Sequence, residues 1–166
     1  MVSRRGQVDG YTFIEVMLVV LIIGLLIAIA LPNFIGAKQR ASNRAAQVGL
    51  RTALTDAKTI YADDDSFSGV SATRLHTAEP SLTFASGPSN GPRVVSVAGT
   101  STQFVAAARA SSGFCYAIGD AANPAGTVFA VLDSSATCDA TNLPAVPAAV
   151  PGAGVATIGG GWAKAW

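Results

Sequence analysis

The chain has 166 residues, 50% of them hydrophobic and 13% charged, with a formal net charge of +1. High hydrophobicity with little net charge excludes a disordered chain, and near-neutrality gives no compositional reason to expect a nucleic-acid partner. Two cysteines cannot build a structural zinc site alone, and a single histidine, His76, leaves almost nothing for a metal or a catalytic base, so most familiar enzyme classes are disfavoured.

The mean hydropathy of +0.43 is high for a soluble domain, and the apolar residues that cause it are concentrated near the N-terminus. From Val16 to Leu31 no side chain is polar, and within the longer stretch from Tyr11 to Leu31 the acid is Glu15. As a helix, that stretch spans about 31 Å, close to the roughly 30 Å of a bilayer's hydrocarbon core. A soluble core helix would carry a polar face, so this reads as a membrane or export segment. A secretory signal peptide would use Arg4 and Arg5 as its basic region and Ala28-Ile29-Ala30 as a cleavage site, but the run is too long and Glu15 is unexplained. For a plain membrane anchor, the positive-inside count is ambiguous, because Arg4 and Arg5 face Lys38, Arg40 and Arg44 across the span.

A third reading explains both oddities. The residues Gly10-Tyr11-Thr12-Phe13-Ile14-Glu15, followed by the apolar run and Leu31-Pro32, resemble the class III signal of bacterial type IV pilins and type II secretion pseudopilins. The likeness covers roughly Gly10 to Phe34: a short basic leader, a glycine, an aromatic, a threonine, a glutamate, a long apolar helix and a proline in fixed order. It implies that a membrane prepilin peptidase cuts between Gly10 and Tyr11 and methylates the new amine of Tyr11. Tyr11 departs from the usual phenylalanine but keeps the aromatic ring. Loss of the leader removes Arg4, Arg5 and Asp9, which brings the 11 basic and 10 acidic residues to equal numbers.

Glu15 can also be argued without the family. A carboxylate in an apolar span costs about 2.5–3.5 kcal/mol at worst and needs a partner or hydration. Positions 11 and 15 share one helical face, so the freed amine of Tyr11 could serve within a chain. The family resemblance implies instead a pairing between subunits, with Glu15 of one meeting the terminal amine of the next as a fibre grows. The plain alternative is an interfacial glutamate that stays hydrated.

Pro32 should remove a backbone hydrogen bond and kink or locally melt the helix, unless the helix ends there and Asn33 opens a loop. Beyond it, Ala46, Leu50, Ala53, Ala57 and Ile60 recur at helical spacing, which predicts an amphipathic stem over residues 33–62. Lys38, Arg40, Arg44, Arg51 and Lys58 decorate that stem against Asp56 alone, whereas the chain from Asp63 onward carries seven acids and four bases. The basic face is read as solvated or as meeting acids of adjacent subunits; specific nucleic-acid binding is not expected, because no aromatic platform interleaves the charges. Asp63-Asp64-Asp65 would oppose the helix dipole, so the helix is expected to stop by Ala62, with the acids in a loop. Their spacing is not that of an EF-hand and no glutamate closes it, so a hydrated loop start is favoured and a calcium site stays the open alternative; His76, lacking a second ligand nearby, is not expected to hold a metal.

From there the pattern becomes strand-like. Candidate strands are Ser81–Phe84, Arg93–Ala98, Gln103–Ala108, Phe114–Ile118 and Thr127–Leu132, separated by Gly87-Pro88, Asn90-Gly91-Pro92, Ala98-Gly99, Ser111-Ser112-Gly113 and Asn123-Pro124. Short spacings predict an antiparallel meander whose Val94, Val97, Phe104 and Phe129 face the stem. The expected fold is α+β and type IV pilin-like, a long N-terminal helix packed on a small antiparallel β-sheet head. Its expected segments are a leader (1–10), a membrane and assembly helix (11–32), a stem (33–62) and a head (63–166).

The resemblance also implies a disulfide between Cys115 and Cys138, bounding a segment that shapes the fibre surface; an exported head would permit it, and closure would contribute roughly 3 kcal/mol. From Ala140 to Trp166 the chain is rich in Pro, Ala and Gly, with no regular element expected, although Trp162 and Trp166 should dock on the head or on a neighbour. Gly152-Ala153-Gly154 lacks the context of a dinucleotide fingerprint, and no P-loop or Ser/His/Asp set is present. The expected function is therefore structural, without enzymatic activity or cofactor: a type IV pilus subunit serving adhesion, motility or DNA uptake. Its expected partners are other copies of itself, the prepilin peptidase/methyltransferase, an inner-membrane platform with its ATPase, and lipid before assembly. The alternatives are a pseudopilin of a type II secretion system, or an exported or anchored binding protein that uses the helix only as a signal.

Overall fold

The computed structural model describes residues 10–122, 125–147, 156, 159 and 161–166. The leader up to Asp9, the Asn123-Pro124 turn, Pro151, Gly152-Ala153-Gly154 and Gly160 lie outside the described residues. The chain divides into two compact units, Met1–Lys38 and Gln39–Trp166.

One helix, α1, runs from Phe13 to Asp64 and contributes to both units. Its start is set by Thr12, whose hydroxyl accepts from the Glu15 N–H at 3.3 Å and whose carbonyl accepts from Val16 N–H at 3.3 Å. The helix continues through Pro32 rather than giving way to a loop at Asn33, although the proline ring removes one N–H from the ladder. In the first unit every residue from Tyr11 to Phe34 is exposed. In the second, α1 buries Ala46, Gly49, Leu50, Ala53, Leu54, Ala57 and Ile60, the stripe that its three- and four-residue spacings predict. The small residues in that stripe let the helix lie close to the sheet.

The helix extends two residues past the expected stop at Ala62. Asp63 and Asp64 occupy its last turn, and Asp65 ends it with a left-handed φ of 51°. The cost of acids at the negative end of the dipole is offset by Arg74, which pairs with Asp64. Arg74 belongs to a short helix, α2 (Ala72–Ala78), where a loop was expected. Ser71 caps α2 by accepting from Arg74 N–H at 3.2 Å. The helix is under two turns and buries only Leu75, so it leaves no periodicity to read. The ring Nδ1 of His76 lies 3.0 Å from the Leu82 carbonyl, giving that side chain a structural role.

The head sheet has five strands in the order β1 (Thr83–Ala85), β2 (Val94–Gly99), β3 (Gln103–Arg109), β4 (Cys115–Ala122) and β5 (Ala125–Leu132). From β2 to β5 it is the antiparallel meander expected, but β1 runs parallel to β2. The intervening loop can turn back over the sheet because buried Ser89 anchors it: its N–H donates to Cys138 O at 2.7 Å and its hydroxyl accepts from Arg109 N–H at 2.9 Å. Pro88 and Pro92 on either side have no N–H to offer a ladder.

The side-chain phase of β2 also differs from expectation. Val95 and Val97 face α1, together with Phe104, Ala106, Ala108, Tyr116, Ile118 and Val131, and Phe129 packs at the edge of this cluster. Val94 falls on the opposite face, because successive residues of a strand alternate sides. That second face is a core of its own: Val105, Ala121 and Val128 meet Ala140 and Val146, with Leu143 and Trp162 packed alongside. Both faces of the sheet are therefore covered.

The 3₁₀ turn Phe67–Gly69 crosses Gly99 so closely that a Cβ there would lie 2.2 Å from the Phe67 carbonyl oxygen. Gly99→Ala should accordingly destabilise the head by about 2–3 kcal/mol, because backbone rather than a flexible side chain must yield. Thermal unfolding of the detergent-solubilised chain checks this, and an unchanged midpoint would contradict the close approach.

Candidate functional site

The N-terminal motif is displayed on α1 in the first unit. Tyr11 and Glu15 lie on one side of the helix start and line a shallow hollow with Val16, Val19 and Val20. Glu15 occupies the first turn, where a carboxylate complements the helix dipole, and it sits three residues after the capping Thr12. That threonine was legible as a cap from the T-x-x-E spacing, a signal the motif reading passed over. Gly10 is exposed, and among the described residues no atom lies within 4 Å of where a Cβ would stand. The fold itself therefore makes no demand for glycine at position 10.

Behind this terminus the apolar residues from Val16 to Leu31 remain uncovered; Leu21, Leu25 and Leu26 are each at least 60% exposed. At about 25 cal/mol per Å², leaving such a stretch in water is untenable, so lipid or other apolar helices must cover it. The helix is long and apolar enough to cross a membrane.

The described residues of the head, by contrast, pack on one another. Cys115 and Cys138 form a disulfide with a Cα–Cα distance of 5.5 Å, which pins the segment after β5 across the second sheet face. Along that segment, buried Ser96 donates to Asp139 at 3.3 Å and accepts from Ala140 N–H at 2.9 Å. The Gln103 amide grips Val146 at both its carbonyl (3.0 Å) and its N–H (3.2 Å), as a strand would. Gly119 leaves room for Val146 and Trp162, since a Cβ there would meet Val146 Cγ2 at 2.6 Å. Trp162 donates to Pro144 O at 3.2 Å, and Ala163 bridges to Phe129 on β5. Trp166 donates to Ala130 O at 3.2 Å, packs edge-on against Phe129 and Tyr116, and receives the Arg51 guanidinium 5.1 Å from its ring. Both tryptophans thus dock on the head of their own chain.

Two of the stem cations are used the same way. Arg51 covers Trp166, and Lys58 Nζ lies 2.9 Å from a carboxylate oxygen of Asp120, whose side chain is only 7% exposed. Thr127 donates to the same oxygen. Lys58→Met should cost about 1–3 kcal/mol, because Asp120 would remain buried with a hydroxyl as its partner. Adding Asp120→Asn should recover part of that loss; thermal unfolding of the single and double variants reads both effects. The one acid of the stem, Asp56, has its carboxyl pushed up, first by burial and then by nearby Glu79. Among the described residues, no group of three or more His, Cys, Asp or Glu side chains gathers where a metal could sit.

This architecture, a long N-terminal helix on a mostly antiparallel five-stranded sheet, is the α+β arrangement of pilin-like proteins. The sequence comparison points the same way. Over 59 residues the chain is 42% identical to the type IV major pilin protein PilA of Myxococcus xanthus, a stretch that covers 36% of this chain and 27% of that protein. The chain thus matches about a quarter of the length of this curated relative. No protein-family model matches the chain, and no solved structure matches it.

Proposed function

We propose that this chain is the precursor of a type IV pilus structural subunit, matured by cleavage between Gly10 and Tyr11 with N-methylation of Tyr11, and polymerised through its N-terminal helix. The observation that carries this reading is the contrast within α1: an uncovered apolar stretch headed by Glu15, followed by a stem that buries one stripe, from Ala46 to Ile60, against the sheet. A helix serving only as an export signal needs neither Gly10 nor Glu15. Before assembly the helix would hold the chain in the cytoplasmic membrane as a single span. In the fibre, like helices replace lipid around Val16–Leu31, so apolar contact is exchanged rather than gained. Extraction therefore needs external work, the part assigned to a cytoplasmic ATPase acting through an inner-membrane platform.

Intact-mass and N-terminal peptide analysis of protein from the native cell surface tests the proposal. The expected product begins with monomethylated Tyr11; a chain beginning at Leu31 would mean an ordinary signal peptide and would end the fibre reading. Gly10→Val should abolish processing, and only the unprocessed mass should be recovered. Because position 10 is open in the fold, that loss would report the requirement of a peptidase and not misfolding.

A further inference from the structure

On the unit Gln39–Trp166, an open groove of about 440 Å³ lies between α1 and the chain flanking β1. Its floor is apolar, formed by Ala45, Val48 and Leu82, and Val48 is 60% exposed. Arg44 and Arg93 border it. Arg93 commits one nitrogen to Ser81 O at 2.9 Å, and Arg44 enters no salt bridge among the described residues. Arg40 precedes Arg44 by one helical turn, on the same side of α1. One acid, Glu79, also lines the groove, and it accepts from Ser81 N–H at 3.0 Å through one carboxylate oxygen.

The opposite end of the stem is acidic. Asp63, Asp64 and Asp65 are all exposed, and of these Arg74 pairs with Asp64 only. The stem is thus polarised along its axis, with Arg40 and Arg44 at one end and Asp63 and Asp65 at the other, none of them in a salt bridge among the described residues, although Asp65 also interacts with the Tyr61 hydroxyl. Arg44 and Asp63 are about 28 Å apart along the helix at 1.5 Å per residue. A parallel neighbour at the same height sets like charge against like. A parallel neighbour displaced by about that length sets its acidic turn against the basic groove.

We propose that the groove bordered by Arg44 and Arg93 seats the acidic turn Asp63–Asp65 of a second copy of this chain, displaced along the stem. The inference rests on the fibre reading above. Apolar helices can slide past one another at little cost, whereas this contact fixes an axial register from the heads.

The test is charge reversal in the full chain, with fibres sheared from cells and the precursor pool in the membrane measured beside them. Arg44→Glu with Arg93→Glu, and separately Asp63→Lys with Asp65→Lys, should each lower fibre yield at least about tenfold while the precursor pool holds. The two pairs combined should restore it to within about threefold. Failure of the combination to rescue, or no effect of either pair, overturns the proposal. A photo-crosslinking residue at position 48 gives a reading free of charge changes. It should capture a peptide containing Asp63–Asp65 from another copy, and capture of lipid, of a different protein or of another part of the chain overturns the proposal. Absence of fibres from the unaltered chain would instead defeat the fibre reading itself, and this proposal with it.

Discussion

Glu15→Val should leave cleavage after Gly10 intact and reduce assembled fibre by about 100-fold or more. The expectation follows from charge accounting at the helix start. In a bundle of apolar helices, the amine of a mature Tyr11 needs a compensating anion, and Glu15 is the acid between Tyr11 and Leu31. Removing one member of a buried pair costs about 3–5 kcal/mol, which is two to three and a half decades per added subunit. The competing local role is much smaller. A first-turn carboxylate contributes about 0.3–1 kcal/mol to its own helix through the dipole, too little to prevent assembly. Glu15→Gln separates the two further, since it keeps the shape and hydrogen-bonding capacity but not the charge, and it should fail nearly as badly as valine. The assay is fibre yield against the processed membrane pool, and normal fibres from the valine variant would refute the pairing.

The second large effect is expected at the disulfide. Replacing both Cys115 and Cys138 with serine should lower head stability by about 2–5 kcal/mol. For a chain of this size that is a fall of roughly 6–12 °C in unfolding midpoint for a loss near 3 kcal/mol. The structure explains why the loss should not stay local. Cys138 O accepts from Ser89, and the next residues carry the Asp139–Ser96 network and the Ala140, Leu143 and Val146 cover of the second sheet face. Releasing that cover exposes Val105 and Val128 together, and Ser96 and Asp139 lose their partners. A reductant should lower the unaltered chain toward the variant and leave the variant unmoved. Equal midpoints with and without reductant would show that the bridge contributes nothing.

Much of this protein is legible in its sequence because the relevant signals are local. The uninterrupted apolar run, the helical spacing from Ala46 to Ile60, and the alternating segments between turn residues each act within a few residues. They place α1 and the strands from β2 to β5 to within a few positions. The candidate site is legible for the same reason, since Gly10, Tyr11 and Glu15 stand within six residues of one another. The type IV pilin resemblance read from them agrees with the relative found and with the fold.

Tertiary structure decided the rest. The phase of β2, with Val95 rather than Val94 toward the helix, depends on register against β3, where Val95 pairs with Ala108. The direction of β1, parallel to β2, goes with a loop whose Ser89 bonds to Cys138 and Arg109, residues far away in the chain. Gln103 meets Val146 across a separation of 43 residues, and Lys58 meets Thr127 across 69. The charges of Lys58 and Arg51, read along the chain as a solvated face, turned inward to Asp120 and Trp166. Periodicity and turn chemistry are written in neighbouring residues, so the sequence alone determined the elements and the N-terminal motif. Which faces are buried, and which charges remain free for another molecule, are properties of residues brought together only when the chain closes on itself.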